Sequence, residues 1–167
     1  MKYRLSVILI LSIMMSSCYT FKGTSISSDV TTFYIGNFRN NAANAPAEIG
    51  QLFSDRLRDK VLRESRLAYT ETDMSIEFDG AVSGYTVSSV APSSSDGQVG
   101  SSLNRLQINV NVDYINHIDE EESFTQSFSF FQDFESSQNL SDVQDALIDD
   151  IFEQITEDIF NRAFSNW

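Results

Sequence analysis

Between Leu103 and His117, the apolar residues Leu106, Ile108, Val110, Val112 and Tyr114 alternate with Gln107, Asn109, Asn111 and Asp113. A period of two with one apolar face predicts a strand buried on one side and wet on the other. Residues 123–134 repeat the pattern. Phe124, Phe128, Phe130 and Phe134 share the inward parity, and Thr125, Ser127 and Ser129 the outward one, while Phe131 breaks the alternation by facing out. The acidic NHIDEEE segment between the two runs reads as a turn. Upstream, residues 75–91 begin with Ile76 and Phe78 on one face and continue with Val82, Tyr85 and Val87. The parity changes near Gly80 and Gly84, which predicts a long strand with a bulge or a close backbone approach. The earliest strand expected is 31–38, TTFYIGNF, with Phe33 and Ile35 on one side. Residues 92–102, PSSSDGQVGSS, hold no apolar residue except Val99 and predict a mobile loop.

Two segments carry the longer, helical period. From Ala47 to Arg66, Ile49, Leu52, Phe53, Leu57 and Val61 recur at three- and four-residue steps, with Pro46 placed as a first helical residue. The second helix is expected to open at Ser141 with Gln144 three residues on, the spacing of a capping box. Its apolar set is Val143, Leu147, Ile148, Ile151, Phe152, Ile155, Ile159, Phe160, Ala163, Phe164 and Trp167. Those residues form two adjacent rows, so one row can cover a sheet while the other packs on the first helix. The order β-α-β-β-β-α, with hairpin-length joins between the last three strands, predicts an α+β two-layer sandwich. Its sheet would be four-stranded and mixed, with both helices on one face. The other face would carry Asn109, Asn111, Asp113, Thr125, Ser127 and Ser129.

The first eighteen residues, MKYRLSVILILSIMMSSC, follow a different grammar. Lys2 and Arg4 precede an apolar run from Leu5 to Met15, then small residues lead to Cys18, the only cysteine in the chain. The run is too short to span a bilayer as a permanent helix and reads as a secretory signal over residues 1–17. Met15-Ser16-Ser17-Cys18 reads as a lipobox, in which the thiol takes diacylglycerol, the leader is cut and the new N-terminus takes palmitate. Against this stands an ordinary unpaired thiol beyond a normal cleavage site. Residues 18–30 would then be a lipidated tether, and 31–167 a single α+β domain. Tyr19 and Thr20 lack the Asp that retains lipoproteins in the inner membrane, so the outer membrane is expected, with the domain facing the periplasm.

Charge changes the picture further. Without residues 1–17, nine basic residues stand against 24 acidic ones, a formal charge of −15. Such a domain is repelled by nucleic acid and by anionic bilayers. With one cysteine no disulfide can form within the chain, so the fold relies on packing, for which thirteen Phe, six Tyr and one Trp are available. Five of the nine basic residues, Arg56, Arg58, Lys60, Arg63 and Arg66, fall on the first helix. Arg56, Lys60 and Arg63 share a face and form either a cationic stripe for a phosphorylated or carboxylated ligand or partners for helical pairs such as Asp55 with Arg58, Asp59 with Arg63 and Lys60 with Glu64. Arg105, at the start of a strand, is a candidate for contact with a partner, as are Phe160, Phe164 and Trp167 at the end of the second helix.

Catalytic chemistry finds little support. His117 is the only histidine and sits at a predicted strand end beside acidic residues, where a surface role is expected. No Gly-x-Ser-x-Gly elbow, Gly-rich phosphate loop or Cys/His metal cluster is present. Asp119-Glu120-Glu121-Glu122 are consecutive, without the alternating spacing of a calcium loop. No enzyme, cofactor or metal is expected.

Several short motifs occurring in order carry a resemblance: Cys18-Tyr19-x-Phe21-x-Gly23, Ser65-Arg66-Leu67, FDGAVSGY at 78–85, Leu103-Asn104-Arg105-Leu106 and Ile159-Phe160-Asn161. Together they resemble the LptE family of lipopolysaccharide-assembly lipoproteins, over nearly the whole chain after Cys18. The resemblance implies an outer-membrane lipoprotein that plugs the β-barrel translocon LptD and helps lipopolysaccharide reach the outer leaflet, with no catalysis. The chain is more acidic than the better-studied branch of that family, and lipopolysaccharide-contacting basic residues of the family match no positions here. A second reading is a periplasmic binding module, in which the first helix and the 92–102 loop would hold an anionic ligand or another envelope protein.

Overall fold

The computed structural model of the chain describes residues 26–90 and 102–165. The leader, Cys18, most of the tether, nearly all of the 92–102 loop and Trp167 lie outside the described residues. In chain order the elements are β1 (Thr32–Ile35), β2 (Arg39–Asn40), α1 (Ile49–Glu64), β3 (Ala68–Tyr69), β4 (Ile76–Val90), β5 (Leu103–Asn116), β6 (Phe124–Glu135) and α2 (Leu140–Phe164). The sheet is mixed and α+β as expected, but it has six strands rather than four. Its order is β3-β1-β4-β5-β6, with β2 also pairing with β4. The two additional strands, β2 and β3, are two residues long each, too short to show a period of two in sequence.

Strands β4, β5 and β6 form the antiparallel meander, in register from Ile76↔Asn116 and Tyr114↔Phe124 at one end to Val90↔Leu103 and Leu103↔Glu135 at the other. The predicted irregularity resolves into one bulge between Val82 and Gly84. Gly80 is a close approach instead, since a Cβ there would lie 2.1 Å from the Asn111 carbonyl oxygen. On the opposite side of β4, β1 and β2 run parallel to it as successive pieces of one interrupted line of pairing, with β3 outside β1.

The interruption at residues 36–38 is held by α1. Ser54, fully buried, accepts a hydrogen bond from the Phe38 N–H at 2.9 Å, and its hydroxyl lies 3.1 Å from the carbonyl oxygens of Gly36 and Gly50. Backbone groups that leave the sheet ladder are thereby satisfied by a helix side chain. One turn earlier, Gly50 lets the helix press against this interruption, because a Cβ there would stand 2.0 Å from the Phe38 carbonyl oxygen.

Both helices cover one face of the sheet. Helix α1 lies over β1, β2 and β4, and α2 over β5 and β6, while the helices pack on each other. Ile49, Phe53, Leu57 and Val61 are buried as the helical period requires, but Leu52 sits at the margin and is half-exposed. The two rows of α2 divide the work. Phe152 meets Phe53 of α1 edge-on at 5.0 Å, and Phe164 reaches Phe78 of β4 at 6.2 Å. The helix begins one residue before Ser141, with Asn139 as N-cap, and the Ser141 hydroxyl turns to the Asp142 carboxylate, so the expected capping box does not form. Likewise α1 starts at Ile49, after a turn in which the Ile49 N–H donates to the Pro46 carbonyl.

Candidate functional site

Two surfaces gather the charged and aromatic residues singled out in the sequence. The first is the seam between α1 and α2. Arg56, Lys60 and Arg63 do lie on one side of α1, and each finds a carboxylate. Arg56 is 2.5 Å from Asp149 of α2, and Arg63 is 4.0 Å from Asp59 on its own helix. Lys60 is buried, where it pairs with Glu157 of α2 and, at 2.6 Å, with Glu64. Burial pulls the Lys60 pKa down, yet its hydrogen bonds to the two glutamates outweigh that and hold it above the ordinary value. The same hydrogen bond from Lys60 holds the Glu157 carboxyl below its usual range.

The three expected helical pairs, Asp55–Arg58, Asp59–Arg63 and Lys60–Glu64, thus form, the second of them the longest, and two further pairs reach across to α2. Sequence reasoning missed these cross-helix acids. The available signal was the row Asp149, Glu153 and Glu157, which steps by four along α2 as Arg56 and Lys60 do along α1. The seam also brings Lys60 over the ring of Phe160, 5.7 Å from its centroid. Phe160 and Phe164 are buried, 4.8 Å apart in an edge-on pair, and serve the core rather than an exposed partner contact. The second apolar row of α2 meets α1 and the sheet, leaving neither ring at the surface.

The second surface is the uncovered face of the sheet. Asn109, Asn111, Asp113, Thr125, Ser127 and Ser129 line it as the alternation requires, linked by a cross-strand polar ladder. The Gln107 amide donates to Ser129 at 3.0 Å, and the Thr125 hydroxyl donates to Asp113 at 2.7 Å. At one end, Arg105 donates from Nε and one terminal nitrogen to the two carboxylate oxygens of Asp133, at 2.7 and 2.9 Å. This two-point grip raises the Arg105 pKa and lowers that of Asp133. The guanidinium lies 3.6 Å from the ring centroid of Phe131, the outward-facing phenylalanine, which remains 42 % exposed. Arg105 and Phe131 are therefore one unit, although 26 positions separate them in the chain. Arg39 on β2 is a second basic residue of the sheet.

At the opposite end His117 is exposed, its Nε2 3.6 Å from the Glu77 carboxylate. The Asp119–Glu122 run forms a short 3-10 turn in which the Asp119 carboxylate accepts from the Glu121 N–H. Among the described residues, no three His, Cys, Asp or Glu side chains converge on a metal-sized site.

The fold has a counterpart among solved structures. A hypothetical protein from Chlamydia trachomatis superposes with a TM-score of 0.52 at 8% identity, over 81% of this chain and 99% of that one. A minor lipoprotein from Acinetobacter baumannii gives a TM-score of 0.46 at 13% identity, over 81% of this chain and 97% of that one. No curated protein matches the sequence. The family model for LptE, described as lipopolysaccharide-assembly, matches residues 30–163, from the approach to β1 to the last turn of α2. The chain belongs to the LptE family of lipopolysaccharide-assembly lipoproteins.

Proposed function

We propose that this protein is a lipid-anchored, periplasm-facing component of the outer membrane that plugs the β-barrel lipopolysaccharide translocon LptD, assists its assembly and helps lipopolysaccharide reach the outer leaflet, without catalysing a reaction. The observation that carries this reading is the asymmetry of the sheet. Its inner face is sealed by two helices, whereas its outer face is a broad polar surface of Asn, Asp, Gln, Ser and Thr side chains, with an Arg105–Phe131–Asp133 cluster at one end. A barrel lumen presents polar side chains on the inside because its apolar alternates face lipid. A domain seated there needs an outer surface that hydrogen-bonds, with a few aromatic and guanidinium anchors where contact is tightest. Membership of a lipopolysaccharide-assembly family supports the assignment. Solubilising outer membranes in mild detergent and recovering the protein through a tag tests it. A plug comes out with a large barrel in a stable complex, whereas recovery of the protein alone would favour the independent binding module.

A further inference from the structure

A cavity of about 200 Å3 opens at the end of α2, between the segment that leads into β1 and the 3-10 turn after β5. Ile26 and Val30 come from the first described residues, Tyr114 from β5, Glu121 and Glu122 from the turn, and Arg162 from α2. Charges of both signs therefore border one small space. Among the described residues, Arg162 has no carboxylate within salt-bridge distance, and neither Glu121 nor Glu122 has a basic partner. Arg162 reaches from the helix end to lie over the ring of Phe124, 4.6 Å from its centroid, and makes no ion pair with the glutamates. Glu122 is fixed from the other side by the buried Asn116 amide, which donates to it at 2.8 Å.

We propose that this cavity binds a zwitterion joining a primary ammonium to a phosphate, the headgroup chemistry of an ethanolamine phospholipid of the membrane. The ammonium is placed toward Glu121, Glu122 and the C-terminal end of α2, where the helix dipole adds to the attraction for a cation. The phosphate is placed toward Arg162, whose planar fork suits phosphate oxygens. A simple anion would meet the glutamates and a simple cation would meet Arg162, so a ligand carrying both charges fits the pair best. The membrane source follows from position and rests on acylation of Cys18. Seven residues separate Cys18 from Ile26, a reach on the order of 25–30 Å when extended, and the chain they lead into lines the cavity itself.

The test uses the full chain as purified from membranes in detergent, whatever its N-terminal state, titrated calorimetrically with O-phosphoethanolamine. Saturable binding is expected. Arg162→Gln and the double variant Glu121→Gln/Glu122→Gln should each weaken it about tenfold or more, consistent with loss of charge-assisted contacts, with unchanged melting temperatures. Phosphocholine, whose methylated nitrogen donates no hydrogen bond, should bind as weakly as the variants. Nanodiscs of phosphatidylethanolamine should compete with the free headgroup, and nanodiscs of phosphatidylcholine should not. Absence of saturable binding, equal binding by the variants, or equal binding of inorganic phosphate overturns the site. Binding of the free headgroup without competition from phosphatidylethanolamine overturns the membrane source. Neither titration requires the barrel or the anchor to behave as proposed, and mass spectrometry of the N-terminus checks the anchor separately.

Discussion

The buried ammonium of Lys60 on α1 is shared between Glu157 on α2 and Glu64 one turn further along its own helix. A cation that could have served a ligand is instead part of the seam between the helices. Lys60→Gln should lower stability by about 1–2 kcal/mol, because Glu157 can rehydrate once unpaired and only part of a buried pair's cost is exacted. The pH dependence has a definite sign. The Glu157 carboxyl is held below its ordinary value near 4.5, so its contribution is present above that value and is lost as pH falls through the lower, folded-state pKa. The Lys60 contribution, with a raised pKa, is present below about 10.5 and is lost only in stronger alkali. Denaturant titrations from neutral pH into the acid range should show Glu157→Gln with a shallower acid limb than the parent. Parallel limbs would mean the pair is not coupled to folding.

A different stability test lies at the interruption between β1 and β2, beside α1. Gly50→Ala forces a Cβ onto the Phe38 carbonyl oxygen, and backbone cannot yield as a flexible side chain can. A loss of about 1–3 kcal/mol is expected, as for overpacking elsewhere. Ser54→Ala leaves the Phe38 N–H without its acceptor in a buried position, for a loss of about 1–3 kcal/mol. Thermal melts of the two variants provide the measurement, and a melting temperature equal to the parent's for Gly50→Ala would show that the helix can move away from this segment at little cost.

These two sites differ in how legible they were from sequence. The alternation of Leu106, Ile108, Val110 and Val112 announced β5 because one face meets helices and the other meets water. Four-residue steps likewise announced α1 and the doubly covered α2. By contrast, Gly50 and Ser54 are small and polar residues on an apolar helix face, and hydrophobic periodicity passes over them although they fix where the helix sits. Strands β2 and β3 depend on pairing with β4 and β1 rather than on a pattern of their own. For the charged residues, pairs three or four apart on α1 were visible, since helix geometry alone sets them. Arg56 with Asp149 and Lys60 with Glu157 required knowing that α1 and α2 touch, which is tertiary information.

Acylation of Cys18 predicts a membrane-bound protein whose domain carries no spanning helix. Among the described residues no helix is long and apolar enough to cross a membrane. Two or three acyl chains, at about 0.8 kcal/mol per buried methylene, anchor far more firmly than one. Mass spectrometry of the membrane fraction should find an N-terminus at residue 18 carrying the added lipid. Cys18→Ser should leave the leader uncut at this position and the lipid absent. A mature N-terminus elsewhere, or an unmodified thiol, would refute the lipobox reading.

Arg105 and Phe131 supply the sharpest test of the sheet's outer face. Asp133 already grips the guanidinium through two oxygens, which holds it over the Phe131 ring. The result is a rigid, partly exposed platform with an apolar body and a charged edge, the combination enriched where interfaces concentrate their binding energy. If the face docks against the barrel, Arg105→Glu should reduce recovery of the complex and of surface lipopolysaccharide, by about tenfold or more for an interface anchor. The new carboxylate would also repel Asp133 and uncover the ring. Phe131→Ser should act in the same direction while leaving the domain folded, because the ring lies on the solvent side and its neighbour Phe130, stacked at 5.9 Å, is itself packed against the core. Comparing both variants by circular dichroism and by detergent co-purification separates docking from folding. Normal complex yield from two folded variants, in a strain lacking the parent protein, would show that this end of the sheet faces solvent rather than the barrel wall.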